Sequence, residues 1–292
     1  MNRNADAQAM RTGPLGWMTE RLSIGTGAID GPRIGWGHAL LAAVMIALGL
    51  RGLYYGDSAS VWQPIPQDMP LRTLLVYACA AIELAAGIGL LVRRATDIAA
   101  AALFAFALLW WAALKLPVAF VRPLSPFSWL GVGEIGVIVA GAWTLFAMRA
   151  GDAALGKAGW LSGARGVCGA RLLCALSLPM IGLSHFAYAK ETAGFVPAWI
   201  PGPYFWAYLT GAASFCASLG MLSGTWPRLA IVLESAMLSV ITVLVWLPGL
   251  MAAPSNDTWT PFLMSTAIAC GAWAVADGYR SVPWRTMRPL RA

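Results

Sequence analysis

The chain predicts an all-α fold, a polytopic membrane protein with eight transmembrane helices built as a tandem parallel repeat of two four-helix units. Three observations predict it. Apolar residues make up 59% of the 292 positions and charged residues only 11%, a balance suited to lipid rather than water. Eight runs reach the ~20 apolar residues that a bilayer core requires. The second half also repeats the first. Gly49-Leu50 falls on Gly182-Leu183, Gly89 on Gly220, Leu116-Pro117 on Leu247-Pro248 and Gly141-Ala142-Trp143 on Gly271-Ala272-Trp273. Inside lipid each backbone polar group must bond within its own segment, so the runs are helices. No alternation at period two marks a barrel.

The first segment, Trp36 to Tyr55, begins at an interfacial tryptophan and carries Arg51 near its far end. The second, Leu71 to Val92, lines up Ala78, Ala81, Ala85 and Gly89 for close helix contact and holds Glu83 near its middle. The third, Ala95 to Val118, is expected to end at Pro117, as the seventh is at Pro248, because proline does least harm at a helix end. The fourth, Phe127 to Met148, has a second small-residue stripe at Gly133, Gly136, Ala140 and Gly141, and Glu134 lies ~10 Å inside it. In the fifth, Gly166 to Tyr188, Pro179 should bend the helix or leave a carbonyl near Ala175 needing another partner. The sixth, seventh and eighth run from Pro203 to Leu222, Trp226 to Leu247 and Thr258 to Tyr279, and Glu234 lies within the seventh.

Boundaries follow from these runs. Residues 1–35 form an N-terminal tail, flexible or interfacial, without the apolar core of a signal peptide. Residues 36–148 form the first four-helix unit and 149–165 a glycine-rich linker. Residues 166–279 form the second unit and 280–292 a basic tail. Four spans per unit return the chain to its starting side, so the copies share one orientation instead of being inverted. With the N-terminus in the cytoplasm, fifteen of the twenty Lys and Arg residues lie inside; Arg51, Arg72, Lys115, Arg122 and Lys190 lie outside. Both termini are therefore expected to be cytoplasmic. Many of the fifteen tryptophans, Trp62 among them, fall near span ends as an aromatic belt. The longest outer loops, Asp57 to Pro70 and Lys190 to Pro203, read as packed caps over the bundle mouth.

Several chemistries are excluded. The basic residues are spread over the inner loops and tails and form no nucleic-acid reader, so nucleic acid is not a partner. The five cysteines include no paired motif, and no metal site is expected. His38 and His185 sit about a membrane apart, so no haem is bound between them. Flavin is not indicated, nor is a nucleotide, since no glycine-rich phosphate-binding motif is present.

Ionisable residues inside the spans remain. A carboxylate there costs on the order of 2.5 to 3.5 kcal/mol on insertion scales, so it pairs or works. Glu83 has no basic residue at its depth in the second or third segment, so it is expected to be protonated or to bond groups such as Tyr77 or Thr144 from neighbouring helices. Glu134 can pair with Arg51 or Lys115, and both cations can instead snorkel to the headgroups. The repeat lays Glu83 on Ser214, Glu134 on Met264 and Arg51 on Ser184, so the polar interior belongs mainly to the first half.

A family resemblance follows from longer strings. Gly182-Leu183-Ser184-His185-Phe186, then Val196-Pro197-Ala198-Trp199-Ile200-Pro201-Gly202 and Trp206-Ala207-Tyr208-Leu209-Thr210-Gly211, resemble DoxX-like bacterial membrane proteins. So do Trp246-Leu247-Pro248 and Trp259-Thr260, and the second helix, Ala81 to Leu91 followed by Arg93-Arg94. The resemblance implies a four-helix unit of the bacterial inner membrane, here duplicated. Some members of that family are membrane subunits of thiosulfate:quinone oxidoreductases, and others accompany thiol-handling systems.

The leading expectation is a quinone-associated integral membrane subunit that receives electrons from a redox protein partner. Glu83 and Glu134 would exchange protons, while Arg51, His185 and Trp62 would line a quinone pocket. Two other classes stand beside it: a small-solute or proton-coupled transporter, and a structural subunit whose tryptophan-rich loops dock a partner. A parallel repeat argues against the transporter, because it does not exchange the two membrane faces.

Overall fold

A computed structural model describes residues 21–24, 35–59, 62–150 and 156–286. Among these residues, eight helices are long and apolar enough to cross a membrane, and no strand is present. They are α1 (Trp36–Tyr55), α2 (Arg72–Leu91), α3 (Thr96–Val121), α4 (Pro126–Ala150), α5 (Gly163–Ala187), α6 (Pro203–Ser223), α7 (Pro227–Ala252) and α8 (Asn256–Asp277). Their ends fall within a few residues of the expected ones, because they are set by local punctuation. Gly56, Gly202 and Gly224 adopt the left-handed conformation beside α1 and α6, and Ser255 closes a capping box on α8.

Each helix packs on the next along the chain, and α8 returns to pack on α1. In the middle of this ring α4 meets α8, and these are the two most buried spans. Their meeting point is Gly141 against Gly271. A Cβ on Gly141 would lie 2.7 Å from the Gly271 Cα, and one on Gly271 would lie 2.8 Å from the Val137 carbonyl oxygen. Only hydrogen side chains allow the backbones this close.

Several local features recur at matching places in the two halves. Gly49 of α1 lies against the Ala80 carbonyl of α2, and Gly182 of α5 lies against the Gly211 carbonyl of α6, each 2.7 Å from a Cβ built on the glycine. Gly89 faces Ala99, and Gly220 faces Ala230. A π-helical turn interrupts α3 at Trp111–Lys115 and α7 at Thr242–Trp246.

These π turns correct an expectation. Pro117 and Pro248 do not end their helices, which continue as Leu116–Val121 and Leu247–Ala252. The widened turn lets Leu116 N–H bond the Trp111 carbonyl and Leu247 N–H bond the Thr242 carbonyl, five residues back. Proline then sits in the first turn of the new α-helical stretch, where its missing N–H removes no bond. Pro179 behaves as expected: the Ala175 carbonyl that it leaves free accepts a hydrogen bond from Ser218 Oγ of α6 at 2.6 Å.

Residues 21–24 were expected to belong to a flexible or interfacial tail, yet Leu22 and Ile24 are buried. The reason is Arg171, itself fully buried near the start of α5. Its Nη1 donates to the Leu22 and Ile24 carbonyls at 2.6 and 2.7 Å, and its Nη2 donates to the Gly278 carbonyl. The guanidinium also lies 3.7 Å above the Tyr279 ring. Residues 1–20 and 25–34 of the expected N-terminal tail, together with 151–155 of the linker and 287–292 of the basic tail, lie outside the described residues.

Candidate functional site

The last full turn of α1 delivers Arg51 to the end of the bundle where the 57–70 loop lies. Arg51 is buried and does not snorkel. Its Nη1 donates to the Asp57 carbonyl at 2.8 Å, and its Nη2 donates to Thr260 Oγ1 at 2.7 Å and to Asn256 Oδ1. Asn256 and Thr260 are one turn apart on α8, so they present two acceptors on one face to the same nitrogen. Asp57 also accepts from Arg72 at the start of α2 and, at 3.4 Å, from Asn256 Nδ2. Partial burial pushes the Asp57 carboxyl up. The Arg72 hydrogen bond, the Ser58 N–H and the charges of Arg72 and Arg51 outweigh that effect, so its pKa lies below the ordinary carboxylate value. These groups surround a cavity of about 260 Å³ lined by Arg51, Asp57, Arg72, Asn256, Asp257 and Thr260, with Ile65 and Pro261 among its apolar walls.

The described part of the 57–70 loop folds inward as a cap, with Ala59, Trp62, Gln63 and Ile65 buried. Trp62 is therefore no belt residue. Its side chain is wholly buried, with its ring 6.4 Å from Phe106 of α3, while Trp199 in the corresponding second-half loop stays exposed. Gln63 Nε2 donates to Glu83 Oε1 at 3.0 Å. Neither Tyr77 nor Thr144 is the partner of Glu83; Thr144 bonds the Ala140 carbonyl in its own helix. The loop supplies what the neighbouring helices do not.

Arg51 lies within electrostatic reach of Glu83, and the Trp62 indole approaches the same carboxyl without forming a hydrogen bond of ordinary geometry. Phe106 meets Trp110 edge-on at 6.2 Å, which extends the aromatic wall. Arg51 Nε and Trp62 Nε1 are buried donors without an acceptor, while the buried Trp110 indole approaches the Cys79 thiol. Buried donors are satisfied in the great majority of cases, so two near one carboxyl mark a place where an acceptor belongs.

The structure thus brings Arg51, Trp62 and Glu83 together. The other two expected site residues have their own partners. Glu134 of α4 interacts with Lys115, the last residue of the π turn in α3. His185 Nδ1 lies 2.7 Å from Thr210 Oγ1 on α6. Sequence reasoning missed Gln63, Asn256 and Thr260. These are neutral residues whose role appears only when loop and helix ends meet. It also gave no role to Glu234, which is buried and accepts from Ser214 Oγ at 2.8 Å. The pairing of Glu83 with Ser214 across the repeat was the available signal. Among the described residues no group of three or more metal-ligating side chains is present. Comparison with known protein families, with curated proteins and with solved structures found no match.

Proposed function

We propose that this integral membrane protein is a quinone-associated subunit of a redox system, with its headgroup site at Arg51, Trp62 and Glu83. The observation that carries the reading is the pair of unpartnered buried N–H donors, Arg51 Nε and Trp62 Nε1, near the buried Glu83 carboxyl and beside the aromatic wall of Phe106 and Trp110. A planar ring bearing carbonyl oxygens fits that donor set, and a quinone when bound supplies two-electron, two-proton redox chemistry. In this arrangement Arg51 and Trp62 orient acceptor oxygens, Gln63 fixes the Glu83 carboxyl, and Glu83 holds or releases a proton at its second oxygen. The loop cap excludes water from that carboxyl. Electrons come from a redox protein partner.

The same proposal covers the frame. The chain is a tandem parallel repeat in the bacterial inner membrane with both termini cytoplasmic, similar to DoxX-like proteins. The recurring glycine contacts and π turns support the repeat, and the meeting of Gly141 with its own repeat partner Gly271 is what a two-fold axis along the membrane normal produces.

The test is extraction of lipid-like cofactors from protein purified gently out of quinone-replete membranes. Wild type is expected to retain quinone. Trp62→Phe keeps the ring and removes one donor, so bound quinone should fall about tenfold, as loss of one net hydrogen bond predicts. Wild type that carries no quinone overturns the reading.

A further inference from the structure

The second half contains a buried carboxyl that the quinone reading does not use. Glu234 of α7 is 2% exposed; Ser214 Oγ occupies its Oε1, and its Oε2 has no partner. Ser214 belongs to a polar row on α6. Its hydroxyl also reaches the Thr210 carbonyl one turn earlier at 3.3 Å, and Thr210 Oγ1 in turn meets His185 Nδ1. His185 is half-buried near the end of α5, so the row runs from that end of the bundle to an enclosed carboxyl. The Thr210 hydroxyl donates to the Trp206 carbonyl at 2.9 Å, which leaves its lone pairs to accept from an Nδ1 that carries the hydrogen.

We propose that Glu234 is a proton-exchanging site served from the loop end by His185 through Thr210 and Ser214. A proton enters at His185 Nε2 and the one on Nδ1 passes to Thr210 Oγ1. Thr210 gives its own hydrogen to a water spanning the ~6 Å turn to Ser214. Ser214 accepts from that water and passes its own hydrogen to the Glu234 carboxylate, which becomes a carboxylic acid. Each hydroxyl ends with one hydrogen, so one proton has moved and no other bond has changed. Rotation of the two hydroxyls and a flip of the imidazole, which is left as its Nε2–H tautomer, reset the row.

Among the described residues the surroundings offer the Glu234 carboxyl no ion pair. Cys174 of α5 is the titratable side chain that interacts with Glu234. The neighbouring α6 carries no charged residue. Along α8 charges occur only at the two ends, Asp257 and Asp277, and Cys270 is its buried thiol. The site deepens the contrast between the halves. In the alignment Glu83 occupies the Ser214 position and Leu103 the Glu234 position, so each half carries a buried carboxyl on a different helix, the second helix in the first half and the third helix in the second.

The test uses the full chain in lipid nanodiscs and pH-difference infrared spectroscopy. Wild type should show a protonated-carboxyl C=O band that disappears in Glu234→Gln. Thr210→Val and Ser214→Ala, which remove a hydroxyl and little volume, should each slow hydrogen–deuterium exchange of that band about tenfold or more. His185→Phe should do the same. A difference spectrum identical in wild type and Glu234→Gln overturns the proposal, as does an exchange rate unaffected by all three relay substitutions. If Glu234→Gln fails to insert, the relay variants decide it, because they leave the carboxyl in place.

Discussion

Glu83 and Arg171 show two ways of keeping an ionisable group away from water. Glu83 is held by a single neutral donor, Gln63, with a guanidinium and an indole nearby. Glu83→Gln preserves shape and one acceptor oxygen but removes the titratable proton. Under the quinone proposal it is expected to insert, assemble and retain quinone while losing quinone-dependent turnover with the proposed redox partner. Normal turnover would remove the carboxyl from the mechanism, and failed assembly would assign it to structure. Arg171 is bonded on three carbonyls and stacked on Tyr279, so its task is architectural. Arg171→Met strands the Leu22 and Ile24 carbonyls, at about 1–3 kcal/mol for each group left buried and unpaired. Residues 21–24 should then come loose. Trypsin, which finds Arg21 buried in wild type, should cut after it in the folded variant.

At the scale of the element, the prolines show what local chemistry decides. A proline in a helix interior deprives the carbonyl four residues earlier of its donor, so the need at Ala175 was readable from the chain. That Ser218 meets it was not, because the two residues lie on different helices. Ser218→Ala should destabilise the protein by about 1–3 kcal/mol. In a Pro179→Ala background the restored N–H serves Ala175, and the same substitution should cost close to nothing. Thermal denaturation of the four proteins in the cycle measures the difference, and additive costs would show that the hydroxyl and the proline act independently. Pro117 and Pro248 went the other way. A π turn takes up the missing bond and the helix continues, and the turn brings Lys115 to Glu134.

Glycines decide how the whole molecule closes. Gly271 touches backbone on α4, whereas Gly249 near the end of α7 has nothing within 4 Å of a Cβ. Gly271→Ala is expected to cost roughly 1–3 kcal/mol through overpacking, while Gly249→Ala should be neutral or stabilise by up to ~1 kcal/mol through helix propensity. Equal melting temperatures would show that α4 and α8 are not held by this contact. Orientation has a separate test. Single cysteines at Gly194, Ala253 and Arg94, all exposed, are introduced one at a time into a cysteine-free protein. An impermeant maleimide added to intact cells should label the first two and spare the third, and labelling at Arg94 would reverse the topology.

The sequence by itself determined the helices, their number and, apart from the ends misplaced at Pro117 and Pro248, most of their ends, because each depends on residues close in the chain: apolar runs long enough for a bilayer, punctuated by glycine, proline and charge. It also singled out Glu83, whose solvation cost is a property of depth alone. Tertiary structure alone decided the partners. Arg51 and Asn256 are 205 positions apart, and Gln63 and Trp62 come from a loop with no periodicity to show that they face inward. Glu134 and His185 share the depth and polarity of the Arg51 cluster, yet Lys115 and Thr210 claim them. Hydrogen bonds form over ~3 Å and depend on direction. Hydropathy reports how deep a residue lies and leaves open which neighbour it meets there.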